Sequence, residues 1–224
     1  MMKNKPVGTL ALIVFLLTVF WLGQMILVNI RLGTIDNFEK ALIYATERHW
    51  FYYTFVYVNA LLLTLANVLF YGSLYGMLKK HQPEWAAAVF AIVPLYGIFA
   101  LSSYLSQLVL VPILINQVAD PQLQNFASGA LQHLLQMWPH STIGLFDQFS
   151  YFLLGFPGFI YGLMMMKEPY LRVPGILFVI SGGFCFLIGI GIVMNVMALV
   201  GIPSMIGGIF SIAATGILAW KLLK

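Results

Sequence analysis

Residues 142–175 read TIGLFDQFSYFLLGFPGFIYGLMMMKEPYLRVPG. No side chain between Asp147 and Lys167 carries a charge, and an apolar run of about 20 residues is what a helix needs to cross roughly 30 Å of hydrocarbon. The run stops at a short charged turn, Lys167 to Arg172, and a second apolar run opens at Pro174. Backbone amides in hydrocarbon must be paired within their own segment or a closed barrel, and long continuous runs select helices over alternating strands. This stretch therefore reads as one membrane hairpin, with a carboxylate, Asp147, just inside its first helix.

Working outward, the same pattern covers the chain. Of 224 residues, 61% are hydrophobic and 8% charged, against about 25% charged in an ordinary soluble domain. The reading is an all-α, polytopic membrane protein, a single domain over residues 1–224, with spans at about 6–30, 51–78, 86–115, 142–166, 174–200 and 204–223. The start, MMKNKPVGTLALIVFLLTVFWLGQ, has the basic opening of a secretion signal. Its apolar part is too long for one and ends without a small-residue cleavage site, so it reads as a retained first span.

Orientation follows from the basic residues in short connections. Lys3, Lys5, Lys79, Lys80, Lys167, Arg172, Lys221 and Lys224 all fall on one side, while Arg31, Lys40 and Arg48 on the other are accompanied by Asp36, Glu39 and Glu47. Both termini are thus expected in the cytoplasm. The pI near 9.2 reports topology rather than nucleic-acid binding. The lone Cys185 excludes an intrachain disulfide and a cysteine-only metal site, and reads as a small packing residue.

Two outer connections carry helical patterns. In TIDNFEKALIYATERHW, Asp36 and Glu39 resemble a capping box, and Phe38, Ala41, Leu42 and Ala45 recur at helical spacing. In ADPQLQNFASGALQHLLQMWPH, Asp120 and Pro121 form a cap and first-turn pair ahead of an apolar stripe, Leu123, Phe126, Ala130, Leu131, Leu134 and Trp138, opposite Gln122, Asn125, Gln132 and Gln136. Each is expected to be an amphipathic helix lying along the outer interface, over about 36–49 and 121–138. Small residues four apart, Ser181, Cys185 and Gly189, then Gly207, Ser211 and Thr215, predict that spans five and six make the tightest hairpin, joined by VGIPS. Pro157 is expected to kink span four.

From ATERHWFYYTF through LFYGSLYGMLKKHQPEWAAAVFAIVPLYG, and again over FPGFIYGLMMMKEPYLRVPGILFVISGG, the chain resembles a family of bacterial six-span membrane proteins known only as a domain of unknown function. The resemblance lies in Lys79 and Lys80 at an inner turn, Asp147 near the outer start of span four, and YLRVPGIL with Pro174 and Gly175. It implies six spans and a bacterial cytoplasmic (inner) membrane, and no activity.

No phosphate loop, HExxH helix, CxxC pair or GxSxG elbow occurs, so no catalytic residue, metal site or cofactor is expected. His81 is placed on the opposite side from His49, His133 and His140, which rules out a four-histidine cluster. The aromatic run HWFYYTFVY reads as an interface belt. What remains is an asymmetry of polar side chains. Gln24, Asn59, Gln107, Asp147, Gln148 and Asn195 fall in the outer parts of the spans, Ser103 reaches midway on the same helical face as Gln107, and Tyr151 shares the face of Asp147. Polar groups facing hydrocarbon are costly, so these residues are expected to line a recess open to the outer leaflet. Asp147 would either cap span four or pair with Arg48 or a histidine, or else form the wall of a ligand site. The expected function is non-catalytic binding of a small apolar or amphiphilic molecule. A role as accessory subunit of a larger membrane complex, with a membrane-protein partner, is the alternative. Transport is a third, disfavoured by the apolar inner halves of the spans.

Overall fold

The computed structural model describes residues 4–80, 82–138 and 140–224, and every regular element among them is helical. The elements are α1 (Lys5–Leu32), α2 (Phe38–Glu47), a wide π-helical turn (Trp50–Thr54), α3 (Phe55–Leu78), α4 (Pro83–Phe90), α5 (Val93–Val118), α6 (Gln124–Leu134), α7 (Thr142–Met166), α8 (Arg172–Met194) and α9 (Met197–Leu223). Six stretches are long and apolar enough to cross a membrane: Lys5–Leu32, Trp50–Leu78, Pro83–Val118, Thr142–Met166, Arg172–Met194 and Met197–Leu223. The chain is an all-α polytopic membrane protein. Lys3, His81 and Pro139, which entered the topology and histidine arguments, lie outside the described residues.

Two boundaries differ from the expectation for local reasons. The third span is two helices broken at Ala91 and Ile92, with Pro94 in the first turn of α5, where its missing N–H costs no hydrogen bond. The last hairpin turns at Asn195 and not at VGIPS. Asn195 takes a left-handed conformation, φ 53°, and the Val196 N–H reaches back to the Gly191 carbonyl at 2.9 Å, so the last turn of α8 is closed by its own backbone. Pro203 then sits inside α9. Gly191 permits the turn, since a Cβ there would lie 2.8 Å from the Leu199 backbone.

Both outer helices are shorter than expected. Asn37, not Asp36, caps α2, its side chain accepting the Lys40 N–H at 2.9 Å, while Asp36 pairs with Lys40 at 3.0 Å. That hydrogen bond from Lys40 holds the exposed Asp36 carboxyl below its ordinary range. Asp120 organises a turn ahead of α6 instead of capping it: its side chain accepts the Gln122 N–H at 2.9 Å and its carbonyl accepts from Gln124 at 2.9 Å. α2 buries Ala41, Tyr44 and Ala45; α6 buries Ala127 and Leu131 but leaves Leu123 and Phe126 exposed.

The sequence reads as one domain; its packing divides into two compact units. The first comprises Met1–Val19, Leu63–Ile98 and Gln148–Lys224, and the second Phe20–Leu62 and Phe99–Asp147. The first has an apolar core that includes Phe70, Leu74, Tyr161, Met165, Phe178 and Leu218. Its close helix approach is made by glycines of α7 and α8. A Cβ on Gly182 would lie 2.7 Å from the Gly155 carbonyl oxygen, and one on Gly175 would lie 2.8 Å from that of Gly162. α8 and α9, expected to form the tightest hairpin, do pack against each other: a Cβ on Gly191 would lie 2.8 Å from the Leu199 backbone, one on Gly207 would find its nearest neighbours at 3.3 Å, and Ser181 donates to the Gly207 carbonyl at 2.8 Å. Pro157 is accommodated within a continuous α7.

Candidate functional site

The second unit is organised by α5. Ser103, Ser106 and Gln107 stand three and four residues apart, so one helical face carries all three, and all are buried. Ser103 donates to the carbonyls of Phe99 at 2.9 Å and Ile143 at 3.2 Å, the second reaching the first turn of α7. Gln107 is the hub. Its Nε2 donates to the Leu134 carbonyl at 2.6 Å, to Ser106 Oγ at 2.8 Å and to the Ser103 carbonyl at 3.4 Å. Its Oε1 accepts the Gln136 N–H at 3.2 Å. Those bonds clamp the backbone that leaves α6 onto α5, at a point where the helix has ended and its carbonyls need partners.

Gln136 carries the network on to Asp147. Its Nε2 donates to Asp147 Oδ2 at 2.7 Å, and its Oε1 accepts from the Tyr57 hydroxyl at 3.3 Å. Tyr104 also hydrogen-bonds Asp147. Asp147 is only 3% exposed. Its two named partners are neutral donors, and charge-assisted bonds of this kind are stronger than neutral ones. Tyrosines close the site: Tyr53 donates to the Gln107 carbonyl at 2.9 Å, and the rings of Tyr44, Tyr53 and Tyr57 pack at centroid separations of 4.9 to 6.5 Å. Tyr44, on α2, donates to the Tyr52 carbonyl at 2.6 Å, and burial pushes its hydroxyl far above the ordinary tyrosine value, so it stays a donor. Gln24 and Asn59 form a separate buried pair, Asn59 Nδ2 donating to Gln24 Oε1 at 3.2 Å, while Gln24 Nε2 meets no partner among the described residues.

This arrangement corrects two expectations about Asp147. The N-terminus of α7 is capped by Ser141, whose Oγ accepts the Gly144 N–H at 2.8 Å, and not by Asp147. Arg48 is exposed at the left-handed end of α2, and the histidines have other neighbours: His133 meets Thr142 Oγ1 at 3.2 Å, His49 accepts from the Phe51 N–H at 3.3 Å, and His140 lies on the Trp138 ring. Ser103, Gln107 and Asp147 join one network, with Gln24 and Asn59 beside one another in the same unit. Gln148, Tyr151 and Asn195 belong to the first unit, where Gln148 and Tyr151 are half-buried and Asn195 is exposed. The residues missed from sequence are Gln136, Tyr44, Tyr53, Tyr57 and Tyr104.

The two grooves that stand out lie in the first unit and are lined by apolar side chains. One, of about 540 Å³, runs between α7 and α8 over Phe149, Phe152, Phe156, Phe186, Ile190 and Val193. Gly189 shapes it, because a Cβ there would collide with the Phe152 ring at 2.4 Å. The other, of about 620 Å³, lies between α1 and α9. At one end of the first groove are its lining residues Phe149 and Met194, each followed or preceded in the chain by a polar residue, Asn195 and Gln148. The Gln148 Oε1 is buried and has no hydrogen-bond partner among the described residues. Among these residues, too, no three His, Cys, Asp or Glu side chains converge as a metal site would require. No family model, curated protein or solved structure matches the chain.

Proposed function

We propose that the protein is a non-catalytic binder of a small amphiphilic molecule, and that the α7–α8 groove holds its apolar part. The carrying observation is the phenyl-lined groove with a buried, unpartnered acceptor, Gln148 Oε1, on the residue next to its lining. An apolar slot with a few placed polar groups is the general form of a small-molecule site. An unsatisfied buried carbonyl costs about 1–3 kcal/mol, which a hydroxyl or amide N–H on the ligand would recover. The buried network of Gln107, Gln136 and Asp147 has the character of a structural clamp in this reading, since its donors are consumed by protein acceptors. The bound molecule enters from the outer leaflet of a bacterial inner membrane, and both termini face the cytoplasm. The resemblance to the six-span bacterial family and the distribution of basic residues support that placement.

The test uses a photoactivatable monoacylglycerol, a single neutral chain with a hydroxyl head, added to the full-length protein in mild detergent. Crosslinks are expected on peptides holding Phe149, Phe152 and Phe186, reduced by Gln148→Leu and abolished by Val193→Trp, which fills the groove from an exposed position. Label spread evenly over all the spans, unchanged by either variant, removes the proposal. A second reading, an accessory subunit of a membrane complex, is favoured by the exposed Phe126, Leu123 and Ile43, which lie outside the spans. A partner co-purifying with the wild type but lost with Phe126→Ser would select it.

A further inference from the structure

The α1–α9 groove has a different chemistry at its end. α1 and α9 run antiparallel in the first unit. A Cβ on Gly8 would lie 3.0 Å from Leu222 Cβ, and seven residues along α1 the Phe15 ring lies 3.0 Å from where a Cβ on Gly216 would be. Gly216 keeps that side open for the ring. The groove follows this seam from Leu12, Phe15 and Ile212 to Trp220, Leu223 and Lys224, and among the described residues that line it Lys224 is the one with a charge. From Ile212 to Lys224 a helix rises about 18 Å. One leaflet of a core about 30 Å thick is about 15 Å deep. The groove therefore has the length of one acyl chain lying along one leaflet.

Its charged end is built as a membrane interface. The Lys224 ammonium lies over the Trp220 ring, 4.0 Å from its centre, and Trp220 is exposed; tryptophan favours the headgroup level of a bilayer. A lysine presents three donors and the ring accepts none of them as a conventional hydrogen bond, so the ammonium keeps its capacity for phosphate oxygens. Lys5 stands one turn before Gly8 and is exposed, at the same end of the seam. Lys221, one residue beyond Trp220, is already engaged: its Nζ donates to the Tyr170 carbonyl at 2.7 Å and the Tyr170 hydroxyl bonds back to the Lys221 carbonyl. That reciprocal contact ties the α7–α8 turn to the end of α9 and holds the mouth of the groove in place.

The geometry points to the α1–α9 groove as a binding site for an anionic phospholipid, its chain lying against Phe15 and Ile212 and its phosphate between Lys5 and Lys224. The inference stands apart from the α7–α8 groove, which takes a neutral head. An apolar groove alone would accept any lipid; charge complementarity at the mouth selects an anionic one.

Native mass spectrometry of the full-length protein in neutral detergent tests this, with phosphatidylglycerol and phosphatidylcholine of identical chains offered in equal amounts. The wild type is expected to retain phosphatidylglycerol preferentially, by about fivefold for each lysine that contributes. Lys5→Gln with Lys224→Gln should abolish the preference, and Lys167→Gln, a lysine in the α7–α8 turn, should leave it intact. Ala213→Phe, which fills the groove from a half-buried position, should reduce retention of both lipids. Equal retention of the two lipids by the wild type, or full preference in the double variant, overturns the assignment, as does undiminished retention in Ala213→Phe. Exposed glutamines at helix ends leave the fold in place, and a thermal-unfolding scan of each variant verifies that.

Discussion

A carboxylate 3% exposed in a membrane-spanning helix survives because its neighbours were built to hold it. Gln136 and Tyr104 donate to Asp147, and Gln136 is itself held by Gln107 and Tyr57. Asp147→Asn keeps an acceptor for the Gln136 amide and removes a charge, so thermal unfolding in detergent should move by less than about 1 kcal/mol. Asp147→Leu strands both donors and should cost about 1–3 kcal/mol for each. If the Asn variant is as damaged as the Leu variant, the charge itself is needed and the neutral-donor account fails. Gln107→Leu tests the hub. It leaves the Leu134 carbonyl and the Gln136 N–H without their partner, and limited proteolysis should then cut between Leu134 and Trp138 while the helices stay protected. Much of this cluster was legible from residue type alone, because Gln24, Asn59, Ser103, Gln107 and Asp147 are the polar residues a bundle must bury. Gln136 was not legible. A helical wheel continued through residue 138 puts it on the polar face, but α6 ends at Leu134, and past that point the wheel no longer says where a side chain points. The tyrosines were hidden by their own duality, since an interface belt and a buried donor use the same residue.

At the scale of elements, glycine is read correctly only with a neighbour in view. Gly182 and Gly183 are adjacent in α8. A Cβ on the first would meet α7 backbone at 2.7 Å, and nothing lies within 4 Å of the second. Gly182→Ala should therefore destabilise by roughly 1–3 kcal/mol through overpacking. Gly183→Ala should stabilise by about 0.5–1 kcal/mol, the helix-propensity gain. Equal shifts of the two melting temperatures would mean that α7 and α8 do not approach as described. Spacing in the sequence pointed to α8 and α9, and those helices do pack together, but it counts small residues on one helix and did not show that α7 offers glycines of its own to α8. The same blindness misplaced the last turn. VGIPS has the residues of a loop, yet Pro203 is tolerated inside α9, and the turn is made by Asn195, whose left-handed conformation leaves no periodic mark.

For the whole molecule, the division of charge is the feature that sequence and structure share. Lys5, Lys79, Lys80, Lys167, Arg172, Lys221 and Lys224 belong to the first unit, and Arg31, Lys40 and Arg48 to the second. The spans themselves were legible because composition decides them: the solvent for these helices is apolar, and a run long enough to cross it needs no packing partner to be recognised. The partition into two units was not, since it cuts within α1, α3, α5 and α7, where composition and periodicity do not change. Orientation is the consequence that can be measured. Cytoplasmic excess of Lys and Arg in short connections sets the direction of insertion, so single cysteines at Lys80 and Arg172, in a background with Cys185→Ala, should resist a membrane-impermeant thiol reagent in intact cells. A cysteine at Gln132, exposed on α6, should react. Cys185 can be removed for this purpose at small cost, because a half-buried thiol in an apolar helix packs as a small side chain. Labelling at Lys80 and Arg172 with protection at Gln132 would invert the molecule. The lysines at the α1–α9 groove would then meet the outer leaflet, and an anionic lipid would have to be supplied from that side.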